Sequence, residues 1–284
     1  MITCGSLFAG IGGFELGAKW AFEAADIPHK VLFQVEQNKF CQTILNKHWP
    51  DAQIFNDICE VGSHNLPDVD ILMGGFPCQD ISVAGHQKGI INGKKSNLWF
   101  QMLRIISELR PRIAVLENVP NIVRVGGTTV IGGLTEIGYG CEWAIVSASQ
   151  FGAPHLRKRW FCVATDTDSI RSLQTRYRRT PPFNGNRSKI QHRRLPESTD
   201  TDSAYIERNR CSFGVRTEKT KSNQSIYPNG EPSDRWKKFP TEPPLCNRND
   251  GISNRLARLR ALGNAIVPQC SEYIFQNIIQ SKIF

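Results

Sequence analysis

Ile2-Thr3-Cys4-Gly5-Ser6-Leu7-Phe8, followed by Ala9-Gly10-Ile11-Gly12-Gly13-Phe14, decides how the rest of the chain is read. The first run is short and largely apolar, as a strand is. The glycines after it let the backbone turn sharply and approach a ligand closely. A longer amphipathic stretch at 13–25 then reads as a helix. Strand, glycine loop and helix make the first half of a βαβ unit, and the pattern continues. Strands are expected at 2–7, 31–36, 53–57, 70–74, 113–117, 141–149 and 160–164, with helices at 13–25, 37–48, 97–109 and 129–137. Such alternation predicts an α/β fold with a mostly parallel sheet flanked by helices. Ligands bind at the carboxyl ends of the strands in these sheets. The functional residues are therefore sought just after each strand.

The glycine loop has the spacing G-x-G-G. It departs from the dinucleotide fingerprint G-x-G-x-x-G because position 15 is Glu. Alone, it fits a plain tight turn equally well. Glu36, at the end of the second strand, is placed to accept hydrogen bonds from both hydroxyls of a ribose. Asp57, at the end of the third, is placed to accept from an adenine amino group. Either acid alone reads as a solvated surface residue. Together they outline a nucleoside pocket, and the missing third glycine argues against a nicotinamide-dependent dehydrogenase.

After the fourth strand comes Gly74-Gly75-Phe76-Pro77-Cys78-Gln79-Asp80-Ile81-Ser82. Cys78 stands where a parallel sheet presents catalytic groups, and a stabilised thiolate there is a nucleophile. The polar stretch Val83 to Asn97 has no helical period. It reads as a loop that either closes over a charged substrate or is simply solvated. The fifth strand runs into Glu117-Asn118-Val119-Pro120, and a strand-end carboxyl can protonate a ring nitrogen. In Gln150 to Arg159, Arg157 and Arg159 are expected on one face of an extended segment, because side chains alternate with period two.

Charge and apolar residues are unevenly spread. The chain of 284 residues carries 35 Lys+Arg and 26 Asp+Glu, a net charge of +9. Residues 165–250 hold 17 Lys+Arg and 11 Asp+Glu, so two-thirds of the net charge lies there. Leu, Ile, Val and Phe number only 11 among those 86 residues, below what usually supports an independent core. The stretch reads as a basic, loop-rich module set into an ordinary domain, or as a disordered insertion. No run of 18 apolar residues occurs, which excludes an apolar membrane-spanning helix. The start has no basic n-region or cleavage site, so secretion is not expected. The nine cysteines form no C-x-x-C pair and have no histidine cluster beside them. Reduced thiols in a cytoplasm are expected, and a metal site is not.

Five motifs, in this order and spacing, carry a resemblance. They are Phe8-Ala9-Gly10-Ile11-Gly12-Gly13, Gly75-Phe76-Pro77-Cys78-Gln79, Glu117-Asn118-Val119, Arg157-x-Arg159 and Leu262-Gly263-Asn264-Ala265-Ile266. The chain resembles the DNA (cytosine-5)-methyltransferases of bacterial or phage type over roughly 1–164 and 251–284. The resemblance implies a catalytic domain built from those two stretches, with 165–250 as the target-recognition region. It implies transfer of a methyl group from S-adenosylmethionine to C5 of a cytosine flipped out of double-stranded DNA at a specific sequence, as in restriction-modification systems. Cys78 would attack C6, Glu117 would protonate N3, and Arg159 would bind the cytosine carbonyl oxygen, with Arg157 as anchor. Phe8, Gly10, Gly12, Glu36, Asp57, Ile58, Pro77, Leu98, Asn264 and Ile266 would line the cofactor site. Ser82 and Gln87 would meet the DNA. A cytoplasmic, nucleoid-associated monomer is expected. Two departures stand out: His155 replaces a Gln before the arginine pair, and Ala84 replaces a Ser of the loop. The same chemistry on tRNA is a rival, disfavoured by the basic 165–250 insert. A catalytically inactive DNA-binding module is another, disfavoured by the intact Cys78, Glu117 and Arg159.

Overall fold

In the computed structural model, residues 1–77, 98–167 and 255–281 are described. Seven strands form one sheet: β1 (Ile2–Leu7), β2 (His29–Val35), β3 (Gln53–Phe55), β4 (Ile71–Gly75), β5 (Ile113–Asn118), β6 (Tyr139–Ser147) and β7 (Lys158–Asp166). Their order across the sheet is β3-β2-β1-β4-β5-β7-β6. The described helices are α1 (Gly13–Ala24), α2 (Lys39–His48), α3 (Leu98–Leu109), α4 (Ile122–Val125), α5 (Gly127–Glu136), α6 (Arg255–Asn264) and α7 (Pro268–Gln280). Every strand and helix expected from the sequence is present, with ends shifted by a few residues.

Strands β1 to β5 pair in parallel, whereas β7 is antiparallel to both β5 and β6. Only β7 therefore runs against the other six. A parallel partner for β6 would need a long crossover, usually through a helix. The connection from β6 to β7 holds just a 3-10 turn (Ala148–Phe151) and a short loop, so the chain doubles back.

Side chains that alternate along the strands separate two cores. Leu72, Ala114 and Leu116 point to one face, where Trp99, Met102, Ile105 and Ile106 of α3 and Val130 and Leu134 of α5 cover them. Ile71, Met73, Ile113 and Val115 point to the other, under Phe14, Ala18 and Phe22 of α1 and Ile274, Phe275 and Ile278 of α7. All six residues of β5 are buried, as a central strand covered on both faces must be. Among the described residues the C-terminal stretch adds no strand; it returns as α7 and packs on α1. Gly17 permits this contact, because a Cβ there would lie 2.5 Å from the Pro268 carbonyl oxygen.

Under the glycine loop lies a buried polar cluster. Gln34 Nε2 donates to Glu15 Oε1 at 2.8 Å, and both residues are almost wholly buried. Burial pushes the Glu15 carboxyl above its ordinary range. Ser6 Oγ, Glu15 Oε2 and Gln34 Oε1 have no hydrogen-bond partner among the described residues. The Ser6 hydroxyl and the Gln34 amide are the donors beside the Glu15 carboxyl, and both oppose the upward push of burial.

Candidate active site

The carboxyl ends of β1, β2, β4 and β5 open on one edge of the sheet, and the conspicuous residues gather there. Phe8 follows β1 with φ at 55°, and Gly10 and Gly12 come next with φ at 58° and 85°. Positive φ is cheap only for glycine, so the loop needs both. A Cβ on Gly12 would strike the Trp49 ring at 2.3 Å, while one on Gly10 would meet nothing within 4 Å. The backbone at Gly10 thus faces open space. Glu36 steadies it from the next strand. Its two carboxylate oxygens accept from the Gly10 N–H (2.8 Å) and the Asn38 N–H (2.7 Å). A carboxylate offers about four lone-pair sites, so Glu36 keeps acceptor capacity for a ligand.

Asp57 lies two residues beyond β3 and caps the 3-10 turn Ile58–Glu60, accepting from the Cys59 N–H at 2.9 Å. The strand expected to reach it stops at Phe55, because this Asp ends extended structure by capping. The Ile58 side chain is buried in the core on the α3 face.

Glu117, on the fully buried β5, is 9% exposed. Its Oε1 pairs with Arg159 Nε at 2.9 Å. Burial pushes its carboxyl up to about 7, against the pull of Arg159 and Arg157. Arg159 reaches this edge because β7 is reversed: the amino end of β7 meets the carboxyl end of β5, with Asn118 opposite Trp160. Gly75, opposite Glu117 on β4, leaves room for the carboxylate, since a Cβ there would lie 2.7 Å from Glu117 Oε2. That Cβ would also sit 3.8 Å from Ile266 Cδ1, and the Ile266 carbonyl lies over Gly13. The C-terminal segment therefore closes over β4, β5 and the glycine loop together.

Arg157 differs from its sequence-based placement. Its φ is 27°, and extended structure begins only at Lys158. Period-two alternation therefore does not apply to the pair. The Arg157 guanidinium instead donates to the carbonyl oxygens of Gly263 (2.7 Å) and Ala265, on either side of the exposed Asn264. It ties the segment before Ile266 to the site.

Pro77 is exposed at this edge, and Leu98 opens α3 half-buried. Cys78, Ser82 and Gln87 lie outside the described residues. The described chain before Cys78 is held at Phe76. Asn118 Nδ2 donates to the Phe76 carbonyl oxygen at 2.9 Å, and Asn118 Oδ1 accepts from the Val119 N–H at 2.8 Å. The Phe76 ring also contacts Trp99, with centroids 5.1 Å apart. Neither Asn118 nor Gly75 has an assigned role in the sequence reading, although both stand in quoted motifs. Cys270 lies within electrostatic reach of Glu117 and both arginines, yet burial pushes its thiol up to about 12. Burial therefore works against a thiolate at Cys270.

Comparisons with known proteins agree on a family. The profile described as C-5 cytosine-specific DNA methylase matches residues 2–254. The Type II methyltransferase M.CviJI of Paramecium bursaria Chlorella virus IL3A is 37% identical over 164 residues, 57% of this chain and 42% of that protein. The Type II methyltransferase M2.BsuMI of Bacillus subtilis (strain 168) is 27% identical over 301 residues, 98% of this chain and 75% of that protein. The chain spans about half the length, or less, of the curated relatives it matches first. The solved structure of the Entamoeba histolytica methyltransferase EhMeth shares the fold, with a TM-score of 0.58 over 99% of this chain and 98% of that chain, at 14% identity.

Proposed function

Since the chain belongs to the C-5 cytosine-specific DNA methylase family, we propose that it methylates C5 of a cytosine in double-stranded DNA at a specific sequence. The observation that carries this reading is the Glu117–Arg159 pair, 2.9 Å apart at the strand edge where Pro77 leads into Cys78.

Cytosine C5 is a weak nucleophile, and addition of a thiolate at C6 makes the ring enamine-like and reactive at C5. Cys78 supplies the thiolate. Glu117, whose carboxyl burial pushes up to about 7, exchanges a proton readily near neutral pH and gives it to N3, drawing electrons from C6 as the carbon–sulfur bond forms. Arg159, aligned by Glu117, donates to the cytosine carbonyl oxygen. Once C5 carries the methyl group, loss of its proton to solvent expels the Cys78 thiolate, and N3 returns its proton to Glu117 as the aromatic ring is restored. C6 is shielded by stacking inside a duplex, so the base must be flipped out.

S-adenosylmethionine, when bound, supplies the electrophilic methyl group that the activated C5 takes. The residues present suit it. Gly10 exposes backbone beside open space, Gly12 keeps the loop close against the Trp49 ring, Phe8 offers a ring, and Glu36 has spare acceptor sites for ribose hydroxyls. Asp57 and Ile58 border the adenine, with Pro77, Leu98, Asn264 and Ile266 completing the wall. Residues 1–164 and 251–284 form the catalytic domain, and the basic stretch 165–250 recognises the target, with Ser82 and Gln87 also meeting DNA. Among the described residues no helix is long and apolar enough to cross a membrane. We place the protein in the cytoplasm as a monomer on DNA. Bisulfite sequencing of plasmid from cells expressing the chain tests the reading: 5-methylcytosine at one recurrent sequence is expected, and unmodified cytosine throughout would overturn it.

A further inference from the structure

Helix α3 carries an arginine whose guanidinium, among the described residues, hydrogen-bonds not to the strand-edge groups but to the turn that carries Asp57. Arg104 Nη2 donates to two carbonyl oxygens of that turn, those of Ile58 at 3.1 Å and Val61 at 2.8 Å. The rest of the fork is aimed by its own helix: Nε donates to Gln101 Oε1 at 2.8 Å and Nη1 to Glu108 Oε1 at 2.8 Å. Glu108 in turn accepts from the Ser63 N–H at 3.0 Å. Asn65 closes the same loop on itself, accepting from the Gly62 N–H and donating to the Glu60 carbonyl. Gly62 makes the approach possible, since a Cβ there would lie 2.4 Å from Glu108 Oε2 and 2.9 Å from Arg104 Nη1.

A 3-10 turn of three residues has too few internal hydrogen bonds to hold its own shape, and its carbonyls need outside donors. α3 is a rigid source of them, because Met102, Ile105 and Ile106 bury it in the core. The planar fork also matters: one guanidinium nitrogen serves two acceptors while the others are tied to the helix. A lysine ammonium has the charge without that geometry.

We propose that Arg104 is a positioning residue for the cofactor: by holding the Ile58 and Val61 carbonyls it fixes Asp57 at the adenine and sets adenosine affinity without touching the ligand. This rests on the reading that the Asp57–Ile58 turn borders the adenine. The test uses the 284-residue chain with Arg104→Lys, Arg104→Ala and Asp57→Ala. S-adenosylmethionine and adenosine are titrated calorimetrically, and KM and kcat are measured on duplex DNA. For both Arg104 variants, KM and Kd for S-adenosylmethionine rise about tenfold, the scale of one hydrogen bond from a charged donor. Adenosine affinity falls by the same factor, and kcat at saturation stays within about twofold. Lysine is expected to fare no better than alanine. If Arg104→Lys binds like the wild type while Asp57→Ala binds weakly, Arg104 has no such role and the adenine site stands. A fall in kcat at unchanged KM would equally overturn the inference. If Asp57→Ala also binds like the wild type, the turn is not at the adenine, and the site reading falls with the inference.

Discussion

Gly75→Ala separates the position of the Glu117 carboxylate from the stability of the fold. The new Cβ would stand 2.7 Å from Glu117 Oε2, whereas ordinary contact begins near 3.4 Å. The carboxylate must therefore withdraw by about 0.7 Å. This is the free end of a side chain, so little stability is lost, and alanine suits a strand better than glycine. The cost falls on geometry. The clash is on Oε2, but turning the carboxylate drags Oε1 with it, and a shift of about 0.7 Å along the 2.9 Å contact with Arg159 would take it to about 3.6 Å, beyond hydrogen-bond range. A displacement approaching 1 Å at a reacting group costs on the order of 100-fold in rate. We expect kcat to fall by roughly that factor, with the melting temperature and the Kd for S-adenosylmethionine nearly unchanged. The Kd is spared because the new Cβ makes only an ordinary 3.8 Å contact with Ile266 Cδ1. Single-turnover transfer of labelled methyl groups to duplex DNA measures the rate, and scanning calorimetry checks the fold. A Gly75→Ala enzyme with wild-type kcat would refute the reasoning, because the carboxylate position would then not govern the reaction.

Glu117 gives a pH signature. Its folded pKa is raised to about 7, so the proton donor is lost as pH rises through that value. The pH profile of kcat/KM should have a descending limb near 7 that Glu117→Gln lacks, at a much lower rate; a descending limb that survives in Glu117→Gln would count against the assignment. Glu15 makes a stability prediction. A raised carboxyl contributes stability that is complete below its unfolded pKa of about 4.3 and is lost as pH rises through the folded pKa. Glu15→Gln keeps the shape, donates to the cluster at every pH and should melt no lower than the wild type at pH 8. A fall of about 5 °C or more in thermal denaturation would mean that Glu15 works as a carboxylate. Cys78→Ser should abolish methyl transfer while calorimetric binding of S-adenosylmethionine persists, and undiminished 5-methylcytosine formation would remove Cys78 from the mechanism.

The strands were legible because each is a short apolar run bounded by turn residues, and the long helices because their apolar period is near 3.6. The reversal of β7 was not, since an apolar run such as Trp160–Ala164 has no direction in it. What reveals it is the short, helix-free link from β6. Gly10, Gly12 and Glu36 could be picked out because loop glycines and strand-end acids have local meanings. Glu117 could be found for the same reason, but not its partnership with Arg159, which depends on that reversal. The grip of Arg157 on Gly263 and Ala265 joins residues more than 100 apart in sequence and has no local signature. Arg104 sits on an amphipathic helix among other polar residues, and only its reach across to the Ile58–Val61 turn sets it apart.

The reversed strand also has a consequence for biosynthesis. β5 pairs with β4 on one side and, on the other, only with β7. It leaves the ribosome about 40 residues ahead of β7, which at ordinary elongation rates is a wait of roughly 2–8 seconds. Throughout that interval the nascent chain carries an apolar strand with an open hydrogen-bonding edge, the feature that most readily recruits another chain. Translation stalled between Asn118 and Lys158 would therefore yield a fragment prone to aggregate, whereas release past Asp166 would not leave that edge bare. The strand that brings Arg159 to the site is also the one that seals the sheet.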